Sequence, residues 1–147
     1  MYYYVLTLGL APAEAQEVTQ EVFLRLFVTM RGGEDVLNPR AWVFRVAHNL
    51  GLKVKAKERR SQEFSPELES MLAHPDVTPE RELLRTERER RLREAITELS
   101  PQQRQVLHLR AEGLRYQEIA ETLGIATSTV GEFLRRALNR LRRVLNE

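Results

Sequence analysis

Cysteine is absent from the 147 residues, so disulfides and cysteine–zinc sites are excluded, and thiol usage carries no information about redox compartment. Histidine is scarce as well. His48, His74 and His108 stand far apart, with neither metal-ligand spacing nor a nucleophile beside them, so no metal, cofactor or catalytic centre is expected and the protein reads as a non-enzyme. There is no long hydrophobic run. The opening "MYYYVLTLGLA" is apolar but too short to span a bilayer, and it lacks the basic n-region of a signal peptide, so no membrane insertion and a cytoplasmic location are expected. Strand-like runs are few.

What is present is Arg, Leu, Glu and Ala in quantity, the composition of an all-α chain. Hydrophobic residues make up 42% and charged residues 30%, which suits a folded chain with a densely charged surface. The net charge is only +2, but it is unevenly spread. Residues 1–60 hold nine Lys/Arg against six Asp/Glu, residues 61–100 six against ten, and residues 101–147 eight against five. Two basic blocks around an acidic middle fit two units that each meet a polyanion, or solvated faces of surface helices.

Helix signals recur along the chain. Pro12 starts a helix through "AEAQEVTQEVFLRLFVTM", with Glu14 and Glu17 near its positive end and Val18, Val22 and Leu26 on one face. "RGGED" breaks it. Asn38 then caps a second long helix with Pro39 at its first position, and Trp42, Val43, Val46 and Leu50 form its apolar stripe. The stretch 62–78, with its prolines and scattered acids, reads as a linker. Helical pattern resumes at "PERELLRTERERRLREAITELS" through Leu92, Ala95, Ile96 and Leu99. A short helix follows, capped by Ser100 and Pro101 and stopped by Gly113. The expected architecture is therefore two small helical domains, 1–61 and 79–147, joined by a flexible linker.

The stretch "RYQEIAETLGIATSTVGEFLRRALNRLRR" has helix-turn-helix spacing. Ala120 supplies the small residue where the helices cross, and Gly124 the turn. Val130, Ile119, Leu123 and Ile125 supply the apolar contacts. An αα-hairpin with a glycine turn would use the same positions. Val130, Leu134, Ala137, Leu141 and Val144 form a buried seam, and Phe133 reads as core. Thr127, Ser128, Thr129, Gly131, Glu132, Arg135 and Arg136 are left to face DNA. Five arginines between 135 and 143, Arg140 among them, suit phosphate contacts, whereas a glutamate can accept from cytosine N4 but is repelled by phosphate. Residues 53–60 carry five cations and one acid, and a single strand with splayed bases suits such a segment.

Taken together, these stretches resemble the sigma-70 family of RNA polymerase sigma factors, specifically its small extracytoplasmic-function (ECF) type. "LSPQQRQVLHLRAEGLRYQEIAETLGIATSTVGEFLRRALNRLR" resembles the domain that binds the −35 promoter element. "EAQEVTQEVFLRLF" resembles the segment that grips the polymerase β′ coiled coil, and "NPRAWVFRVAHNL" the segment that melts and holds the −10 element. The resemblance implies core RNA polymerase (β′ coiled coil and β flap), promoter DNA and an anti-sigma factor as partners. It implies −35 contacts from Thr127, Ser128, Thr129, Glu132, Arg135, Arg136 and Arg140. It implies −10 contacts from Arg45, His48, Asn49, Lys53 and Lys57, and polymerase contacts from Glu17, Gln20, Glu21 and Phe23.

Three departures from the family pattern stand out. The chain begins midway through the first domain, so an apolar face is expected to be thinly covered. Lys53 stands where the family commonly has Asp. Gly131 and Glu132 replace basic and hydroxyl readers, so no −35 sequence preference carries over. A LuxR-type regulator would also fit "AEGLRYQEIAETLGIATSTV", but not the "NPRAW" and "RVAHN" stretches. A degenerate sigma-like module that binds polymerase or an anti-sigma factor without initiating is the other alternative.

Overall fold

The computed structural model describes residues 1–61 and 86–146. The linker expected over 62–78 lies outside the described residues, as does His74. Seven helices occur among the described residues, and no strand: α1 (Tyr2–Thr7), α2 (Pro12–Arg31), α3 (Pro39–Ser61), α4 (Glu87–Glu98), α5 (Pro101–Ala111), α6 (Tyr116–Leu123) and α7 (Thr127–Leu145).

Local chemistry accounts for most of the boundaries. Pro12 opens α2, and Glu14 reaches back to accept from the Ala11 amide at 3.2 Å. Asn38 Oδ1 accepts from the Ala41 amide at 3.2 Å, the cap expected for α3. Ser100 and Gln103 satisfy each other's backbone amides at the start of α5. Gly113 (φ 92°) and Gly124 (φ 69°) end α5 and α6 in left-handed geometry that a side chain would strain.

In the N-terminal unit α2 lies against α3, and the α1–α2 turn lies across α3. Gly51 makes that approach possible, since a Cβ there would stand 2.5 Å from Leu8 Cδ1. Lys55 Nζ donates to the Gly9 carbonyl at 2.9 Å and ties the turn down. The buried face of α3 is rotated from the expected stripe. Val43, Phe44, Ala47, His48 and Gly51 are buried, whereas Trp42, Val46 and Leu50 are only half-buried against the core. The reason is helical phase: Phe44, Ala47, His48 and Gly51 fall at i, i+3, i+4 and i+7 and so share one face.

In the C-terminal unit α4, α5 and α6 each pack on α7. The α7 seam is buried at Val130, Leu134 and Ala137, but Leu141 and Val144 are half-buried, because α7 outruns the helices beneath it. The two units share one apolar cluster. Tyr4, Val5, Val22, Phe44 and Ala47 from the first half join Val106, Leu109, Leu114, Ile119 and Val130 from the second. Burying each large apolar side chain is worth about 1.5–3 kcal/mol, so this junction contributes to the stability of both halves.

Candidate nucleic-acid interface

The helix-turn-helix is formed by α6, the Gly124 turn and α7. Ala120 is buried at the crossing, and the Ile125 amide donates to the Ala120 carbonyl at 3.1 Å, closing the turn. Ile119 and Val130 are fully buried between the helices, while Leu123, Ile125 and Phe133 pack half-buried around them. Burial of one side of α7 sets the other side free. Thr127, Ser128, Arg135, Arg136 and Arg140 are exposed, and Thr129, Gly131 and Glu132 are partly so. Ala126 caps α7 without any side-chain acceptor, so the amides of its first turn receive no side-chain cap and can meet a phosphate.

Electrostatics on this face centre on Glu132. Its carboxylate accepts from Arg135 Nη2 at 2.7 Å and from Arg136 Nε at 2.9 Å, and these hydrogen bonds hold it below the usual carboxylate range. Arg140, from the same cationic helix, pairs with Glu98 of α4. Three of the candidate phosphate-binding arginines thus have acidic partners within the chain. Tyr116 and Arg110 were not singled out by sequence reading. The Tyr116 ring lies beside Gly131, and the Arg110 guanidinium sits 5.4 Å from the Tyr116 ring centroid. The sequence signal for this stack is slight: Arg110 and Tyr116 stand on either side of the Gly113 turn with five residues between them.

On α3, Arg45, Asn49, Lys53 and Lys57 recur every four residues and are all exposed. They make a slowly winding polar stripe of three cations and an amide, a form that suits a nucleic-acid backbone. His48, grouped with them on sequence, is buried instead, 7% exposed. Its Nδ1 is 2.8 Å from the Tyr4 hydroxyl, and burial pushes its pKa below the ordinary histidine value. In this arrangement it serves the core and has no access to a strand. Arg45 faces Glu121 of α6 at 3.9 Å.

On α2, Glu17, Gln20, Glu21 and Phe23 are all exposed, with Glu21 paired to Arg25 at 3.0 Å. The structure adds Leu24, Phe27, Val28 and Met30, each more than half exposed, to the same helix. These residues lie off the Val18–Val22–Leu26 face that periodicity marks. Such a density of exposed apolar groups marks an interaction surface. Among the described residues, no group of acids and histidines could hold a metal ion, and no helix is long and apolar enough to cross a membrane.

The family model described as Sigma-70, region 4, matches residues 89–141, which run from α4 through the helix-turn-helix. An ECF RNA polymerase sigma factor, SigE, of Mycolicibacterium smegmatis is 31% identical over 88% of this chain, which spans 51% of that relative's length. The RNA polymerase sigma factor YlaC of Bacillus subtilis is 30% identical over 84% of this chain and 72% of its own length. In fold, the chain resembles the sigma factor RpoE of Bartonella quintana in its co-crystal structure with the anti-sigma factor NepR. The TM-score is 0.66 at 19% identity, covering 99% of this chain and 89% of that one. The chain belongs to the sigma-70 family of RNA polymerase sigma factors.

Proposed function

We propose that this chain is a transcription initiation factor that binds core RNA polymerase and directs it to promoters through two DNA contacts. One observation carries the reading. A single chain presents a helix-turn-helix with exposed hydroxyls and arginines on α7, and a separate cationic stripe on α3. The α7 face, with Thr127, Ser128, Thr129, Glu132, Arg135, Arg136 and Arg140, takes duplex −35 DNA. The α3 stripe, with Arg45, Asn49, Lys53 and Lys57, takes the melted −10 strand, and His48 joins it only if the core around it opens. Glu17, Gln20, Glu21 and Phe23 meet the β′ coiled coil, and the apolar residues beside them on α2 enlarge that contact. Two weak DNA contacts on one scaffold raise each other's effective concentration, so neither face needs to be a strong reader. The protein acts in the cytoplasm, is no enzyme in its own right, and is held by an anti-sigma factor when idle.

Run-off transcription with core polymerase tests this, using the promoter of the protein's own operon and a scrambled control. Promoter-dependent transcripts are expected. Silence with polymerase binding retained leaves a sigma-like module that only binds, and silence without binding removes the sigma reading.

A further inference from the structure

We infer that α2 pairs with α2 of a second copy of this chain, the two helices antiparallel across their solvent faces, to give a reversible homodimer.

Helical phase defines the face. Glu17, Leu24 and Arg31 stand seven residues apart and line up along the helix, all three exposed. Phe27 and Val28 fall three and four residues after Leu24 and so share its side. Ala15, Val18 and Val22 are buried on the opposite side, against the rest of the N-terminal unit. The core therefore turns this stripe, about four turns long, directly to solvent. Leu24, Phe27 and Val28 occupy its middle, each more than half exposed, and Phe23 and Met30 flank it. Apolar surface gathered in this way gains by being covered.

Charge selects the occupant and its direction. The stripe begins with Glu17 and ends with Arg31. Among the described residues neither forms an ion pair, and the Arg31 guanidinium meets the Phe27 ring, 6.0 Å from its centroid. Glu21 is already matched to Arg25 within the helix at 3.0 Å. The helix ends at Gly32, so Glu34 and Asp35 lie beyond the stripe. A two-fold dimer needs a self-complementary patch, and this one is self-complementary. An antiparallel crossing centred on Leu24 lays the apolar middle of each helix on the other. It also sets Glu17 of each copy beside Arg31 of the other, since both lie seven residues from the centre. Parallel pairing would instead oppose Glu17 to Glu17 and Arg31 to Arg31.

One helix face from each copy makes a small interface, in the class of transient complexes. Dimers should therefore form at about micromolar concentrations and above. The proposed polymerase contact uses the same helix. On that reading dimerisation and polymerase binding exclude each other, and chain in excess of the dimer dissociation constant is withheld from polymerase by mass action.

Sedimentation equilibrium of the full chain, over about three decades of concentration around the micromolar range, tests the dimer. A monomer–dimer equilibrium is expected, and Phe27→Glu should abolish it. Glu17→Arg and Arg31→Glu each oppose like charges at both ends of the crossing, and each should raise the dissociation constant roughly three- to tenfold. The two substitutions change net charge in opposite directions, so a general charge effect would strengthen one dimer and weaken the other. Combining them exchanges the partners and should restore the parent value. A monomer at every concentration, a dimer indifferent to a folded Phe27→Glu chain, or a double variant no tighter than the single ones would each overturn the inference. If circular dichroism shows Phe27→Glu unfolded, the exchange of charges between exposed positions decides alone. Run-off transcription in parallel keeps the two failures apart. Promoter-dependent transcripts from a chain that is always monomeric defeat the dimer alone, whereas a dimer that obeys the charge exchange but neither binds polymerase nor yields transcripts defeats the functional reading alone.

Discussion

The Tyr4 hydroxyl lies 2.8 Å from Nδ1 of His48, two buried groups from helices 44 residues apart, and the same tyrosine ring packs against His108 from the other half of the chain. Burial pushes the Tyr4 pKa well above its ordinary value, so the phenol keeps its proton. A neutral His48 can accept it. Tyr4→Phe keeps the ring contacts and strands a buried imidazole nitrogen, which should cost about 1–3 kcal/mol. Tyr4→Ala also empties the junction and should cost about 3–5 kcal/mol. Urea unfolding of both variants checks the order, and equal losses would show that the hydroxyl contributes nothing beyond the ring.

Acid should loosen the same junction. Burial lowers the pKa of both His48 and His108. At His108, Glu112 pulls the other way and the terminal ammonium adds to the lowering. The unfolded chain then takes up protons that the folded chain refuses. The stabilisation is complete above the ordinary histidine value, about 6.5, and is lost as pH falls below it. Glu58 acts in the opposite sense. Sharing a hydrogen bond with Glu14 pushes its pKa up to about 7, so its contribution is present in acid and lost as pH rises through that value. Unfolding midpoints across this range, compared between the parent and a His48→Gln, His108→Gln chain, separate the two. The histidine-free chain should lose the acid-side decline, and an unchanged profile would place the titration elsewhere.

Gly51 sits where the α1–α2 turn crosses α3. Gly51→Ala would place its Cβ 2.5 Å from Leu8 Cδ1, inside a packed core. Helix propensity alone would favour alanine by about 1 kcal/mol. Overpacking costs about 1–3 kcal/mol and should win, because Leu8 and Leu10 are themselves buried and have little room to yield. Thermal denaturation checks the sign. A more stable Gly51→Ala chain would mean that the turn moves aside at no cost.

Much of this fold was legible in the sequence because its signals are local. Pro12, the Asn38–Pro39 pair, the Ser100–Pro101 pair, Gly113 and Gly124 mark helix ends by what each does to its own backbone, and each does so in the structure. Faces were harder. On α3, apolar residues cover so much of the circumference that Trp42–Val46–Leu50 and Phe44–Ala47–Gly51 both read as stripes, and only the turn packed over Gly51 chooses between them. That same choice buried His48. Contacts between the halves were not legible at all. Nothing in "NPRAW" or "YQEIAE" says that Asn38 meets Glu118, since periodicity shows that a face exists but not what covers it. Likewise, the exposed Leu24, Phe27, Val28 and Met30 lie off the strongest periodic face of α2, where only solvent exposure reveals them.

Glu132 offers the most direct handle on the DNA face. It holds Arg135 and Arg136 through hydrogen bonds at 2.7 and 2.9 Å, all on the exposed side of α7. Exposed pairs of this kind are worth little to stability, so Glu132→Gln should leave the unfolding curve almost unchanged. Its effect on binding should be larger. The substitution removes a charge that phosphates repel and frees two guanidinium groups to meet them. Affinity for duplex DNA of any sequence should rise, and the dependence of log K on log salt should steepen by roughly one to two phosphates' worth, about 0.9 per phosphate. If Glu132 instead accepts from a cytosine N4, the variant should lose discrimination at one base pair by about 1–3 kcal/mol while gaining affinity elsewhere. Binding isotherms on promoter and scrambled duplexes at several salt concentrations separate these outcomes. An unchanged slope with unchanged selectivity would mean that this face of α7 does not meet DNA.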